Sequence, residues 1–359
     1  MRVLCFGAGS VGCLLSGYLA DAGAQLTLLC RPGQDSAIDE HGLEIVRPQD
    51  RLHIRRMQTL TSLSQWNGQP PDVILLAVKA YDGRPAVEEI KPIVGRDTII
   101  LTVQNGIGNE EMLAEMFGSD RILSGALTLS VSRPELNRVQ QNTNKGGLGL
   151  APVGEGMSSR LAELCRLWSG AGLTVSTYED YRSLKWSKLL INLFGNASAA
   201  ILDMSPKDMA KHAKLFSLEL QQARECLRVM KAQKIHTVDL PGFPVHLLGW
   251  LLHLPDPILY RLLRQKLVGG RGEKMPSLWV DLQRGRNDSE IHVLNGAVYR
   301  AGQRLGVPVP ANELLYQTLV GILEGTIDRD SIRHQPDKLL TMLEQPTGWP
   351  FKEEEMWRN

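Results

Sequence analysis

The feature that most constrains the fold of this chain is the glycine-rich run Gly7-Ala8-Gly9-Ser10-Val11-Gly12, close to its N-terminus. The run directly follows the strand-like stretch Arg2 to Phe6, and a helical pattern continues from Val11 to Asp21. In such a junction the first glycine permits a tight turn, the second lets the backbone approach a phosphate, and the third lets the helix pack on the strand. The run therefore predicts a dinucleotide-binding fold with the pyrophosphate at the helix N-terminus.

The next strand-like stretch, Gln25 to Cys30, ends at Arg31. An NAD-binding fold carries an acidic residue at about this point, where it holds the ribose 2′-hydroxyl. A guanidinium instead binds the 2′-phosphate of NADP bidentately, whereas a carboxylate repels that phosphate. The alternative interpretation is a solvated arginine on a surface loop. We predict that the cofactor is NADPH/NADP and that Arg31 selects it.

The order of elements predicts an α/β Rossmann-type domain followed by an all-α domain. Strand-like runs alternate with helical patterns in the first half; the predicted strands are Arg2 to Phe6, Gln25 to Cys30, Val73 to Val78, Thr98 to Val103, Ile122 to Val131 and Gly147 to Val153. From about Tyr178 helical spacing takes over, in runs Leu184 to Leu202, Ala213 to Ala232 and Ser277 to Leu305. We predict an NADP-binding domain over 1–177, a helical substrate and catalytic domain over 178–345, and a polar tail over 346–359, with the substrate in the cleft between the domains.

Composition excludes several classes of protein. The net charge of +1 provides no field of one sign for nucleic acid or an anionic membrane. The longest late apolar stretch, Leu247 to Leu254, is too short to span a bilayer, and the start of the chain is a poor signal peptide. The five cysteines contain no C-x-x-C pair, so neither a disulfide framework nor a metal site is indicated. We expect a cytoplasmic enzyme with a small-molecule substrate.

Two polar residues follow predicted strands on the cofactor side. Lys79 comes after Val73 to Val78, and Asn105 comes after Thr98 to Val103. Ligands of open α/β sheets bind outside the carboxyl ends of the strands, so both side chains could reach the nicotinamide or the substrate. The alternatives are an exposed lysine and an ordinary Asn-Gly turn.

In the helical half, Lys188, Asn192 and Asn196 recur every four residues, which predicts that they line one face of a single helix. Partial burial would lower the pKa of the lysine into the range useful to a general acid. The alternative is a polar stripe at a domain interface. Glu290 could pair with Lys188 across the cleft, or be an ordinary helix residue, and Ser277 could be an N-cap after a proline.

Taken in order, these landmarks resemble the ketopantoate reductase family (2-dehydropantoate 2-reductase), from the first residue to about Gly325. The series comprises Gly7-x-Gly9-x-x-Gly12, Arg31, Val78-Lys79-Ala80, Gln104-Asn105-Gly106, Lys188-Leu189-x-x-Asn192-x-x-x-Asn196, the Ser277 to Glu290 block, Asn295-Gly296 and Gly306-Val307-Pro308-x-Pro310-x-Asn312.

The resemblance implies hydride transfer from NADPH to the keto carbon of a 2-oxo acid, giving a 2-hydroxy acid. The substrate would be ketopantoate and the product (R)-pantoate, in pantothenate and coenzyme A synthesis. By resemblance the residues divide as follows: Lys188 is the general acid; Glu290 holds a substrate hydroxyl, biases Lys188 and contacts the cofactor; Asn192, Asn196 and Ser277 hold the substrate; Lys79 and Asn105 lie between cofactor ribose and substrate. Lys185, one turn earlier, is the rival for the acid.

Three departures bear on the substrate. After Asn196 the chain reads Ala197-Ser198-Ala199-Ala200-Ile201-Leu202-Asp203, without the proline and the further asparagine of the family pattern. The block before Glu290 carries one extra residue, and the segment Lys234 to Met275, with an apolar helix predicted from His246 to Leu254, is long enough to cover the cleft or to form a homodimer interface. Two alternatives therefore stay open: a related enzyme that reduces a different keto acid, and a protein that senses NADPH without turnover. A sensor has little reason to keep both Lys188 and Glu290.

Overall fold

The computed structural model describes residues 1–155, 158–262 and 275–344. Two sheets precede a helical region, and from residue 181 onward the described part contains helices and turns but no strand. The predicted fold class, a Rossmann-type α/β domain followed by an all-α domain, is confirmed. No helix within the described ranges combines the length and the apolar character needed to cross a membrane.

Twelve strands of the described residues form the two sheets. They are β1 (Arg2–Phe6), β2 (Gln25–Leu29), β3 (Leu43–Val46), β4 (Arg51–Ile54), β5 (Gln58–Leu60), β6 (Val73–Leu76), β7 (Ile99–Thr102), β8 (Ile122–Leu127), β9 (Val131–Glu135), β10 (Arg138–Gln141), β11 (Leu148–Pro152) and β12 (Val175–Thr177).

The main sheet has the strand order β5-β2-β1-β6-β7-β8-β11-β12, and all its neighbours are parallel except β8 and β11. The strands that carry the sequence landmarks are central and buried, as expected for a parallel sheet covered on both faces. The chain winds from β1 toward β2 in one direction and toward β6 in the other. Ligands of such sheets bind at this switch point, outside the carboxyl ends of β1 and β6.

The fourteen helices that the structure bounds are α1 (Ser10–Asp21), α2 (Gln34–His41), α3 (Gly83–Ile90), α4 (Asn109–Phe117), α5 (Ser158–Gly170), α6 (Tyr181–Leu193), α7 (Ala197–Leu202), α8 (Pro206–Met209), α9 (Ala213–Ala232), α10 (Val245–Leu251), α11 (Ser277–Gln283), α12 (Asn295–Leu305), α13 (Pro310–Leu323) and α14 (Pro336–Glu344). One continuous apolar core joins the helices of the second region. It extends to the main sheet because α6 packs against β8 and β11.

The second sheet, ordered β4-β3-β10-β9, was not predicted. It packs on α1, which therefore lies between the two sheets. A side chain at Gly17 of α1 would place its Cβ 2.2 Å from Cδ1 of Ile45 on β3, so the Ile45 side chain would have to move to admit one. The predicted strand Ile122 to Val131 is wrong as one element, because it divides into β8 and β9.

Two predicted helical runs are interrupted. Leu184 to Leu202 contains α6 and α7, and Ser277 to Leu305 contains α11, a single 3-10 turn at Glu290–His292, and α12. The run Ala213 to Ala232 coincides with α9, and the apolar helix expected from His246 is α10. The predicted tail, 346–359, and residues 263–274 of the long segment before α11 lie outside the described residues.

Candidate active site at the junction of the two regions

The glycine-rich loop has the geometry that its sequence predicts. Gly7 has a φ of +111°, and a Cβ there would lie 2.8 Å from a side-chain carbon of Val78. A Cβ on Gly12 would lie 2.0 Å from the carbonyl oxygen of Gly7, so helix α1 could not otherwise start this close to β1. A Cβ on Gly9, in contrast, would meet nothing within 4 Å. The second glycine therefore faces open space, as a backbone that receives a phosphate must.

The start of α1 is suited to an anion. No side chain caps it, and its first turn contains no acidic residue. The unpaired backbone N–H groups and the helix dipole both favour negative charge at this point. Arg31 is exposed two residues beyond the end of β2, and the last residue of that strand, Leu29, accepts from the backbone N–H of Ala8 in the loop at 3.2 Å. These residues fit a dinucleotide with its pyrophosphate at α1 and its adenosine ribose near Arg31.

A second arginine near the loop was missed by sequence reasoning. Arg133 on β9 donates from Nη1 to the carbonyl oxygen of Ala8 at 2.7 Å, and Gln34 donates to the same oxygen at 2.9 Å. Gln34 also donates to the carbonyl oxygen of Leu136, in the turn after β9. The second sheet therefore braces the glycine loop. Arg133 is 125 residues away from Ala8 in the chain, and no local pattern marks it.

Lys79 joins the two regions. Its Nζ lies 2.9 Å from Oδ2 of Asp281 on α11 and 2.9 Å from Oε2 of Glu290, and both carboxylates are almost fully buried. Burial alone would lower the pKa of Lys79, but the charges of Glu290 and Asp281 outweigh it and raise that pKa above its ordinary value. Lys79 is therefore a fully protonated cation at the carboxyl end of β6.

This arrangement gives Glu290 a partner that the sequence did not suggest. Its carboxylate contacts Nζ of Lys79 in the α/β region. Glu290 is the first residue of the 3-10 turn Glu290–His292, and the Ser289 hydroxyl caps that turn by accepting from the backbone N–H of Ile291. Asp281, the second carboxylate, lies four residues after Ser277 on α11. That helical spacing within the Ser277 to Glu290 block was the signal by which Asp281 could have been found.

Lys185 contacts the loop that carries Asn105. Its Nζ donates to the carbonyl oxygen of Gln104 at 2.5 Å and lies 3.0 Å from Oε1 of Glu110. Asn105 is partly buried, and its own carbonyl oxygen accepts from Asn109 at the start of α4. Lys185 is 3% exposed, and both of these contacts are buried.

Lys188 and Asn192 lie on α6 and are partly buried, but the prediction of one helix through Asn196 is wrong. Helix α6 ends at Leu193, Gly195 takes a positive φ of 56°, and Asn196 is the N-cap residue of α7. The Asn196 amide still bridges the break, because it donates to the carbonyl oxygen of Asn192 at 3.2 Å.

The Asn196 side chain also reaches α11. Its Oδ1 accepts from the backbone N–H of Leu278 at 3.4 Å, so Ser277 lies next to the break between α6 and α7. Ser277 is the first residue of α11 rather than its N-cap, a position that Pro276 occupies. The hydroxyl is therefore not used in capping this helix.

Comparison with known proteins decides the family. A model described as "Ketopantoate reductase PanE/ApbA" matches residues 3–154, and the model of that family's C-terminal part matches residues 180–322. The chain belongs to the ketopantoate reductase family. It is an oxidoreductase acting on CH–OH groups, and the resemblance drawn from the sequence landmarks is confirmed.

Ketopantoate reductases from distant organisms are similar to this chain over nearly its full length. The 2-dehydropantoate 2-reductase of Pyrococcus abyssi is 28% identical over 90% of this chain and 99% of its own. The crystal structure of a PanE/ApbA family ketopantoate reductase from Ralstonia eutropha JMP134 has a TM-score of 0.75 at 26% identity, covering 91% of this chain and 99% of its own. A D-mandelate dehydrogenase solved with NADH and anilino(oxo)acetate has a TM-score of 0.75 at 21% identity and shares the fold, covering 90% of this chain and 99% of its own.

Proposed function

We propose that this ketopantoate reductase family member catalyses the NADPH-dependent reduction of 2-dehydropantoate (ketopantoate) to (R)-pantoate, a step of pantothenate and coenzyme A synthesis. The observation that carries the proposal is that candidate residues of the α/β region contact candidate residues of the helical region. Lys79 and Asn105, at the carboxyl ends of β6 and β7, adjoin α6 and the Ser277 to Glu290 block of the helical region. The glycine loop opens at the same edge of the sheet.

When bound, the cofactor supplies a hydride from C4 of its nicotinamide to the keto carbon. The chain must then protonate the oxygen on which negative charge develops. We assign this proton to Nζ of Lys188, the lysine that the family resemblance implies; it is partly buried, whereas Lys185 is only 3% exposed. A cation that is partly desolvated also stabilises the developing oxyanion before the proton moves.

Asn192, Asn196 and Ser277 are proposed to hold the hydroxyl and carboxylate groups of the substrate. Amide and hydroxyl donors suit both groups, and the break between α6 and α7 brings Asn196 and the start of α11 together. Glu290 is proposed to accept from a substrate hydroxyl and from the cofactor ribose, and its contact with Lys79 fixes the position of its carboxylate. Lys79 and Asn105 would then lie between ribose and substrate.

For the cofactor, we propose that Arg31 selects the 2′-phosphate. Its guanidinium is exposed at the end of β2, where a carboxylate would favour the 2′-hydroxyl instead. A second candidate function concerns the substrate. Asp203, at the end of α7, is bound to the indole N–H of Trp279 and to Arg333. No further asparagine is available there, which favours a different 2-oxo acid.

The proposal is tested by following NADPH oxidation with a panel of 2-oxo acids, including ketopantoate, branched aliphatic acids and aromatic acids. We expect the highest kcat/KM with ketopantoate. An inert ketopantoate together with an active second acid would establish the alternative substrate. NADPH binding without turnover of any acid would indicate a sensor and overturn the proposed reductase.

A further inference from the structure

We propose that Lys185 is a positioning residue that, paired with Glu110, fixes the loop carrying Asn105 and, through Gln104, the backbone of Lys79. The pairing links the helical region to the α/β region next to Asn105. The kinetic consequence rests on the proposed reductase function, whereas the structural consequence does not.

Lys185 forms a buried ion pair. Its Nζ lies 3.0 Å from Oε1 of Glu110 on α4, and the two side chains are 3% and 1% exposed. The hydroxyl of Ser124 on β8 donates to the same Glu110 oxygen at 2.7 Å. The carboxylate is therefore fixed from the α/β side, and the lysine reaches it from α6.

The other contact of Lys185 determines the orientation of one peptide group. Nζ donates at 2.5 Å to the carbonyl oxygen of Gln104, and this carbonyl shares its peptide plane with the N–H of Asn105. The Gln104 side chain, held by the Thr102 hydroxyl at 3.0 Å, donates to the carbonyl oxygen of Lys79 at 3.1 Å. One residue, Gln104, thus touches the backbone of both cofactor-side candidates.

The far end of the same loop is also held by the helical region. The N–H of Ile107 donates to the carbonyl oxygen of Val293 at 3.0 Å, three residues after Glu290. The loop is therefore clamped at Gln104 by α6 and at Ile107 by the turn after Glu290. The two contacts lie only three residues apart, so loss of the contact at Gln104 should loosen the whole loop, including the hydrogen bond of the Ile107 amide.

Stability alone gives little reason for such a pair. Replacing a buried ion pair by uncharged residues of similar size is often neutral for folding, whereas removing one partner leaves a costly unpaired charge. A precise position for Asn105 does give a reason, because a displacement of about 1 Å at a reacting group can cost about a hundredfold in rate.

The experiment uses the double variant K185M/E110Q, which removes both charges together and keeps an acceptor for Ser124. The matched control is Ser124→Ala, which perturbs the same buried network but leaves the contact between Lys185 and Gln104. Three quantities are measured for each full-length protein: the hydrogen-exchange rate of the Ile107 amide, the dissociation constant of NADPH, and kcat with the best 2-oxo acid. Thermal unfolding checks that the variants are folded.

For K185M/E110Q we expect kcat to fall about tenfold or more and the Ile107 amide to exchange faster, because the loop is released. The dissociation constant of NADPH should change less than about threefold, since the glycine loop and Arg31 are untouched. Ser124→Ala should retain wild-type kcat and exchange. Wild-type exchange in the double variant, or equal kcat losses in both variants, would overturn the positioning role. An inactive wild-type enzyme would overturn the proposed function, while the exchange measurement would still decide the role of Lys185.

Discussion

Two lysines one turn apart on α6 differ in burial, and we propose different roles for them. Lys185 is fully buried and engaged by Gln104 and Glu110, so its proton is part of a fixed network. Lys188 is partly buried on the same helix, four residues before Asn192. Sequence spacing could nominate both, but it could not choose, because the choice depends on Glu110 and Gln104, which lie more than seventy residues earlier in the chain.

The first prediction concerns the general acid. Lys188→Met should lower kcat by about two to four orders of magnitude while the dissociation constant of NADPH stays nearly constant. A general acid must be protonated, so the wild-type rate should fall at alkaline pH, and this alkaline limb should disappear in Lys188→Met. The measurement is kcat against pH. Retention of the limb in Lys188→Met would remove the acid role from this residue.

The second prediction concerns cofactor selection by Arg31. Arg31→Gln should lower kcat/KM for NADPH by about ten- to a hundredfold, because a charge-assisted bidentate contact is lost, and should leave NADH unaffected. Arg133→Gln is the matched variant. Its contact with the carbonyl oxygen of Ala8 braces the loop for either dinucleotide, so both efficiencies should fall together. Equal losses for both cofactors in Arg31→Gln would show that this arginine does not read the 2′-phosphate.

At the scale of elements, the sequence predicted what depends on local pattern and missed what depends on distant partners. The glycine loop, β1 and α9 follow from turn chemistry and periodicity, and they occur where expected. The end of α6 does not occur where the sequence predicts it. Helix propensity continues through Phe194, but the N–H of Gly195 donates at 2.6 Å to Oε2 of Glu219, a buried carboxylate on α9. The four-stranded second sheet was missed because its strands are short and because its two hairpins, β3-β4 and β9-β10, meet only where β3 pairs with the distant β10.

A third prediction tests the docking of the Asn105 loop as an element. Gly106 has a φ of +85°, and a Cβ there would lie 2.4 Å from Cγ2 and 2.5 Å from the carbonyl oxygen of Val293. Gly106→Ala should therefore separate the loop from the helical region and lower kcat about tenfold or more. Gly108→Ala is the matched control, because Gly108 also has a positive φ, +110°, but nothing within 4 Å.

Both alanine variants carry the backbone strain of a left-handed residue, which costs about 1 kcal/mol of folding free energy. Only Gly106→Ala adds the collision with Val293. Steady-state kinetics and thermal unfolding of the two proteins separate these effects. Equal kcat values for the two variants would mean that contact with Val293 does not matter for the reaction.

At the scale of the whole molecule, the sequence predicted the parts of the site but not their pairing. Lys79 and Glu290 were both named, yet their contact depends on how the helical region lies on the sheet. Asp281, whose carboxylate is the second partner of Lys79, was not named from the sequence at all. Such contacts join residues about two hundred positions apart, and no local pattern specifies them.

The fourth prediction concerns stability against pH, through His292 in the turn that carries Glu290. Burial, together with the positive charge of Arg300, lowers the pKa of His292 below its ordinary value of 6.5. Its Nδ1 lies 3.1 Å from the hydroxyl of Tyr316 on α13. In the folded protein the ring stays neutral at a pH where the unfolded chain already binds a proton.

The stabilisation due to the depressed pKa is therefore complete above about pH 6.5 and is lost as the pH falls from there toward the lowered folded value. The slope contributed by one such group is at most about 1.4 kcal/mol per pH unit. Urea unfolding of wild type and His292→Gln between neutral and mildly acidic pH measures this effect. The difference in unfolding free energy between the two proteins should shrink as the pH falls, and a constant difference would exclude His292 as the titrating group.

We propose above all that this enzyme, with residues of the main sheet and of the helical region, transfers hydride from a reduced nicotinamide to the keto carbon of a 2-oxo acid. Its most direct test is the mass of the product formed from NADPH deuterated at both C4 positions. We predict a 2-hydroxy acid, pantoate when ketopantoate is supplied, that carries one deuterium on the carbon bearing the new hydroxyl. Consumption of the cofactor without deuterium at that carbon, or no consumption with any 2-oxo acid, would contradict the account.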